Sequence, residues 1–162
     1  DFGTWGEFTT VLFAGLMFTC ACSGSTTGGI RIFRFQIAAT LFRKQMSQLV
    51  HPSAVFGQHY NGRKVNDIIV RSVVAFASAF IATIIVLAAA LSLTGLDPIT
   101  SITGAITAVA NVGPGLGPVI GPAGNFADLP NSAKWMLSVG MLMGRLEIMT
   151  VLVLATPAFW RD

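Results

Sequence analysis

Residues 98–117 read Pro-Ile-Thr-Ser-Ile-Thr-Gly-Ala-Ile-Thr-Ala-Val-Ala-Asn-Val-Gly-Pro-Gly-Leu-Gly, with long apolar runs on both sides. A stretch compatible with a short helix leads into Asn111-Val112-Gly113-Pro114-Gly115, which suits neither helix nor strand. Within a bilayer, backbone that is not helical survives only where protein buries it or where it lines a watery cavity. The order is therefore span, re-entrant half-helix, glycine-rich loop, span. A loop of this kind can present backbone carbonyl oxygens to a cation. The competing reading is an ordinary extracellular loop rich in glycine and proline.

Composition carries the membrane premise. The chain is 53% hydrophobic and only 10% charged, whereas a soluble domain has about 25% charged residues. Residues 73–93 run without a charge, about the 20 residues that cross a hydrocarbon core. Residues 136–156 form a second run, interrupted only by Arg145 and Glu147, and residues 8–22 a shorter third block. That third block reaches spanning length only by continuing through the glycine stretch to about Phe33. The expected fold is an all-α membrane protein.

Charge sets the expected orientation. Seven of the ten basic residues (Arg31, Arg34, Arg43, Lys44, Arg63, Lys64 and Arg71) lie between the first and second apolar blocks, and Arg161 follows the last. Between Leu93 and Lys134 the only charges are Asp97 and Asp128. By the positive-inside rule the 34–71 connection and the carboxyl end are cytoplasmic and the glycine-proline loop faces outside. The net charge of +3 thus reports topology. A nucleic-acid surface would need basic residues clustered on a folded soluble face, and nucleic acid is not an expected partner.

The amino terminus has neither a basic leader nor an initiator Met, so no secretory signal is expected and the chain is read as beginning in mid-protein or after processing. Cys20 and Cys22, two apart in an apolar block, suit neither a zinc site nor a redox pair and read as buried thiols. His51 and His59 lie in a polar connection, without the companions that a metal site needs. Helix is expected over residues 4–22, about 30–46, about 65–93 and 98–109, with a last helix from a cap at Asn131 or Ser132 to just before Pro157. Gly95 is a C-cap candidate and Asn61-Gly62 a turn signal.

Three motifs stand in order: Cys22-Ser23-Gly24-Ser25-Thr26-Thr27-Gly28-Gly29-Ile30-Arg31, Asn111-Val112-Gly113-Pro114-Gly115-Leu116-Gly117, and Gly144-Arg145-Leu146-Glu147 through Thr156-Pro157-Ala158-Phe159-Trp160. With this order and spacing, the chain resembles Trk-type potassium-uptake proteins along essentially its whole length. The resemblance implies a potassium-channel-like pore built from four helix–pore loop–helix repeats in one chain. Residues 1–46 would be the second helix of the third repeat, interrupted by an intramembrane loop at 23–29. Residues 47–64 would be a cytoplasmic connection and 65–162 the complete fourth repeat. The chain would then be a carboxyl-terminal portion whose pore needs the remaining repeats of the same transporter.

The resemblance further implies a multi-pass protein of the bacterial inner membrane, a membrane homodimer, and a cytoplasmic nucleotide-binding regulatory subunit facing the basic 31–71 stretch and the carboxyl end. It leaves channel-like and ion-coupled transport both open. Potassium is cargo, and no covalently bound cofactor is expected. Nor is an enzyme: the residue 24–29 glycines lack the Lys that a phosphate-binding loop requires, and no carboxylate pair or nucleophile–base set is present. A non-conducting membrane scaffold or assembly subunit is the alternative function.

A filter asks modest chemistry: carbonyl dipoles replace a hydration shell without holding the ion too tightly. Turning successive carbonyls one way needs backbone angles that glycine visits without cost, and Gly113 is expected to hold them. Asn111 and Val112 would present their carbonyls to potassium, Pro114 would stiffen the exit, and Gly115 completes the loop. The bland reading of Asn111 is a loop residue bonding its own backbone. The resemblance makes Ser23, Gly24, Ser25, Thr26, Thr27, Gly28 and Gly29 a gate beneath the filter, against a simple glycine kink. Arg145 falls roughly 18 Å along the expected last helix, where a cation costs at least about 2.5 kcal/mol and is expected to face protein or water. It reads either as a gate residue below the filter or as a structural charge bonded to another helix. Gly140 and Gly144 form a GxxxG pair that lets a neighbouring helix approach.

Overall fold

The computed structural model describes residues 5–19, 29–51, 59–60, 63–64, 67–146, 148–155 and 157–160. In chain order the elements are α1 (Glu7–Thr19), α2 (Ile32–Val50), β1 (His59–Tyr60), β2 (Arg63–Lys64), α3 (Asp67–Ser92), α4 (Pro98–Ala110), α5 (Gly117–Ile120), α6 (Asn131–Arg145) and α7 (Ile148–Ala155), closed by a 3-10 turn at Pro157–Trp160. Among the described residues the fold is all-α apart from one minimal hairpin, in which His59 pairs with Lys64 and Tyr60 with Arg63 in antiparallel register. Its strands flank Asn61-Gly62, a pair favoured in two-residue hairpin turns.

Ile68–Ser92, the body of α3, is 25 residues long with a mean hydropathy of 2.6, long and apolar enough to cross a membrane. Val73, Phe76, Phe80, Ile84, Leu87 and Leu91 recur every three or four residues and are buried, the periodicity of one helix face. Val74, Ile81, Ile85 and Val86, on the other side, are exposed and apolar. That outer face suits lipid or further protein, not water. The inner face also anchors α2: the Arg34 guanidinium lies 3.6 Å from the Phe76 ring centroid, a cation–π contact.

At its carboxyl end α3 is followed by Gly95 at φ +84, a left-handed turn that glycine makes without penalty. Asp97 then caps α4, its carboxylate accepting the Thr100 N–H at 3.0 Å, and Pro98 supplies the preset φ favoured in a first helical turn. The Thr100 side chain and N–H beside Asp97 hold its carboxyl below the usual range. With 13 residues, α4 is about 20 Å long, too short to cross.

Despite its position next to a spanning helix, α4 is the centre of the molecule. Every residue from Thr103 to Ala110 is buried, and α4 packs against α3, α6, α1 and α5. Its small residues, Gly104, Ala105, Ala108 and Ala110 among them, let neighbouring backbones come close. The closest approach is from α6. A Cβ on Gly140 would lie 2.6 Å from Leu87 Cδ2 and 3.5 Å from Ala108 Cβ, and one on Gly144 would overlap the Val109 carbonyl. The GxxxG pair therefore seats α6 on α3 and on the end of α4.

The last helix departs from expectation at both ends. It starts after Pro130 with no side-chain cap, so neither Asn131 nor Ser132 acts as one. It also stops at Arg145 instead of running on towards Pro157. Leu146 takes φ −82 and ψ 7, and helix resumes as α7, which packs on α3. Two glycines fix the course of α6 against α4, while Ile148 is buried in the common core at 1% exposure. A bend after Arg145 satisfies both demands. Leu and Arg are good helix formers, so packing, not local preference, makes this break.

The glycine contacts predict a strong stability effect. Gly144→Ala forces α6 off the Val109 carbonyl and costs roughly 1–3 kcal/mol, the usual range for overpacking. The check is the thermal melting midpoint of the detergent-solubilised protein, which should fall; an unchanged midpoint would contradict the close packing.

Candidate functional site

Immediately after α4 the backbone leaves the helix in a left-handed step. Asn111 sits at φ 54 and ψ 44, and its N–H reaches back to Ala108 O at 3.2 Å. Asn tolerates this conformation better than most residues. Its side chain does not bond its own backbone, as the bland reading had it: Asn111 Nδ2 donates to Met141 O on α6 at 3.2 Å. The turn is thereby tied to the helix that carries Arg145.

Val112, half-buried, donates its N–H to Thr107 O at 3.1 Å. Gly113 is exposed with φ +119, a backbone state that side-chain-bearing residues rarely adopt. Its N–H donates to Thr107 Oγ1 at 3.0 Å. Pro114 is exposed; Gly115 is buried and donates its N–H to Ile120 O at 2.8 Å. A Cβ on Gly115 would collide with the Ile120 side chain, so glycine is required there for space. Leu116 closes the segment, its N–H on Thr103 Oγ1 at 3.2 Å.

The five expected filter residues thus form one continuous non-helical turn, held on one side by two threonine hydroxyls of α4 and on the other by α6. Sequence reasoning missed Thr103 and Thr107. Their signal was present, since hydroxyls four apart on a helix share a face, but threonine on a helix commonly bonds the preceding turn and carries no message by itself. Thr103 does this too, with Ile99 O 2.7 Å from its hydroxyl.

Arg145 is the last residue of α6 and is exposed. It is therefore not a mid-helix cation. It follows Gly144, whose position abuts Val109 O and Asn111 Nδ2, so its backbone lies one residue from the packing at the base of the turn. A cation in the last turn also faces the negative end of the helix dipole. Of the expected gate, Gly29 is buried with φ +91; Ser23, Gly24, Ser25, Thr26, Thr27 and Gly28 lie outside the described residues, as do Cys20, Cys22 and Glu147.

With this geometry in view, similarity to known proteins becomes informative. The model of the TrkH family, described as cation transport protein, matches residues 1–161. The Trk system potassium uptake protein TrkI of Halomonas elongata is 59% identical over 162 residues, which are 100% of this chain and 33% of that protein. TrkH of Escherichia coli is 37% identical over 158 residues, 98% of this chain and 32% of that protein. The crystal structure of the potassium transporter TrkH from Vibrio parahaemolyticus superposes with a TM-score of 0.87 at 36% identity, covering 97% of this chain and 33% of that one. The chain spans about a third of the length of the curated relatives it matches. This chain belongs to the TrkH family of cation transport proteins.

Proposed function

We propose that the chain supplies one quarter of a potassium-selective filter, together with the adjacent helices, to a multi-pass uptake transporter. The observation that carries this reading is the pair of positive-φ residues, Asn111 and Gly113, in the turn that follows the C-terminal end of a buried half-helix. The end of a helix bears a partial negative charge, and α4 aims that end at the turn. Carbonyls of Asn111 and Val112 are the coordinating groups, with Gly113, Pro114 and Gly115 shaping their approach. Uncharged oxygen dipoles exchange for water without trapping the ion. The absence of Lys and Arg between residues 94 and 133 leaves the outer approach free of repulsion.

In this reading residues 1–46 are the second helix of a third repeat and 65–162 a fourth, with the other repeats completing the pore. The filter faces outward, and residues 34–71 face the bacterial cytoplasm, where a nucleotide-binding regulatory subunit docks. The 23–29 loop and Arg145 form the gate: the guanidinium repels a cation that has passed the filter and donates to carbonyls of the loop.

The decisive experiment is a chimera in which this chain replaces the matching third of a Trk system potassium uptake protein. Expressed in cells that lack their own potassium uptake, it restores growth at low potassium. Protein present at the membrane without uptake would leave a non-conducting scaffold as the function.

Within that chimera Gly113→Ala erodes potassium-over-sodium selectivity. Nothing lies within 4 Å of a Cβ at this position, so the substitution acts through backbone strain, on the order of 1–3 kcal/mol, and not through a clash. Isotope uptake under sodium competition measures the effect; unchanged selectivity at normal abundance would remove Gly113 from the filter. Arg145→Ala, by contrast, raises conductance severalfold and leaves the selectivity ratio in place, read by whole-cell or reconstituted currents. Loss of membrane assembly in that variant would make Arg145 a structural charge.

A further inference from the structure

Beyond Asn111, whose N–H bonds Ala108 O, three further N–H groups turn back towards α4, and they do so with different partners. Val112 uses the Thr107 carbonyl, whereas Gly113 uses the Thr107 hydroxyl at 3.0 Å and Leu116 the Thr103 hydroxyl at 3.2 Å. In a trans peptide the N–H and the preceding C=O point in opposite directions. Each inward N–H therefore sends the carbonyl of the residue before it away from α4. Those carbonyls belong to Asn111, Val112 and Gly115, and for the last two a threonine side chain sets the direction.

The Val112–Gly113 peptide is the vulnerable one. Glycine accepts both signs of φ, so this peptide plane can rotate at low cost and present N–H where the carbonyl had been. An N–H aimed at a cation repels it. The Thr107 hydroxyl opposes that rotation, and it does so from a fully buried position, with Thr107 0% exposed. Thr103 is set up in the same way. Its own proton faces Ile99 O at 2.7 Å, which leaves an oxygen lone pair to accept from Leu116.

We infer that Thr107, seconded by Thr103, is a positioning residue for ion selectivity: its hydroxyl holds the Gly113 N–H and thereby keeps the Val112 carbonyl directed at the permeating cation. The inference rests on the filter reading above. It adds to that reading a dependence on two helix side chains that never touch the ion, and it extends the oxygen set to Gly115.

The test uses the same chimera and the potassium-to-sodium selectivity of uptake, normalised to protein at the membrane. Thr107→Val keeps the shape and removes the hydroxyl; Thr107→Ser keeps the hydroxyl and removes a methyl. Selectivity should fall about fivefold in the Val variant, the order expected for one net hydrogen bond, and stay near the parent's in the Ser variant. Thr103→Val should follow in the same direction with a smaller loss. If the Val protein does not reach the membrane, Thr107→Ala is compared with Thr107→Ser by the same criterion. Selectivity retained without the hydroxyl, or lost equally with it, overturns the proposal, because packing alone would then explain Thr107. Gly113→Ala separates the two levels. If it shifts selectivity while Thr107→Val does not, the filter stands and only the positioning role fails; if it shifts nothing, the filter reading itself is gone.

Discussion

A helix too short to cross the membrane sits at the centre of the molecule, and everything else is arranged to make that possible. Polar backbone ends inside a bilayer cost several kcal/mol each, roughly, unless partnered. α4 begins with its first turn capped by Asp97 and ends in a turn whose N–H groups return to Thr103 and Thr107. Its sides carry small residues, so α3 and α6 approach it closely. Remove the close packing of Gly140 and Gly144 against Leu87, Ala108 and Val109, and the end of α4 would lose the wall that keeps Asn111 and its turn in place.

The same economy explains why the turn needs so few special residues. Asn111 absorbs the left-handed step, Gly113 takes the φ that other residues resist, and Gly115 yields the space that Ile120 occupies. Each is chosen for a different reason, respectively side-chain bonding, backbone freedom and volume. Three glycines in their places would leave the Met141 tie unmade and the turn free to reorganise.

Much of this was legible in the sequence, for reasons that differ by element. The helix expected over about 65–93 is α3, Asp67–Ser92, within two residues at each end, because apolar periodicity is a local signal. Gly95 and Pro98 marked the limits of the connection into α4, because left-handed turns and helix starts are local too, although the cap at Asp97 was not foreseen. Gly113 was legible for the same reason. What stayed hidden was set by packing across long separations: Asn111 reaching a carbonyl thirty positions later, and the hydroxyls of Thr103 and Thr107 finding the turn. The break after Arg145 was hidden for a further reason. Leu146 and its neighbours favour helix, and only the burial of Ile148 against a glycine-anchored α6 bends the chain. Along residues 23–28 the glycine-rich motif was just as conspicuous, but it lies outside the described residues.

Moving Arg145 from the middle of a helix to its end changes the energetic argument for it. A cation surrounded by intact helix in the bilayer centre must be neutralised by outside partners at substantial cost. At the end of α6 it meets carbonyls with no partner further along the helix, which carry partial negative charge. That local field offsets part of the desolvation, so the guanidinium needs no permanent carboxylate partner. Its place at the end of α6, one residue after a glycine packed on the base of the turn, is thus set by that packing and not by a partner of its own charge.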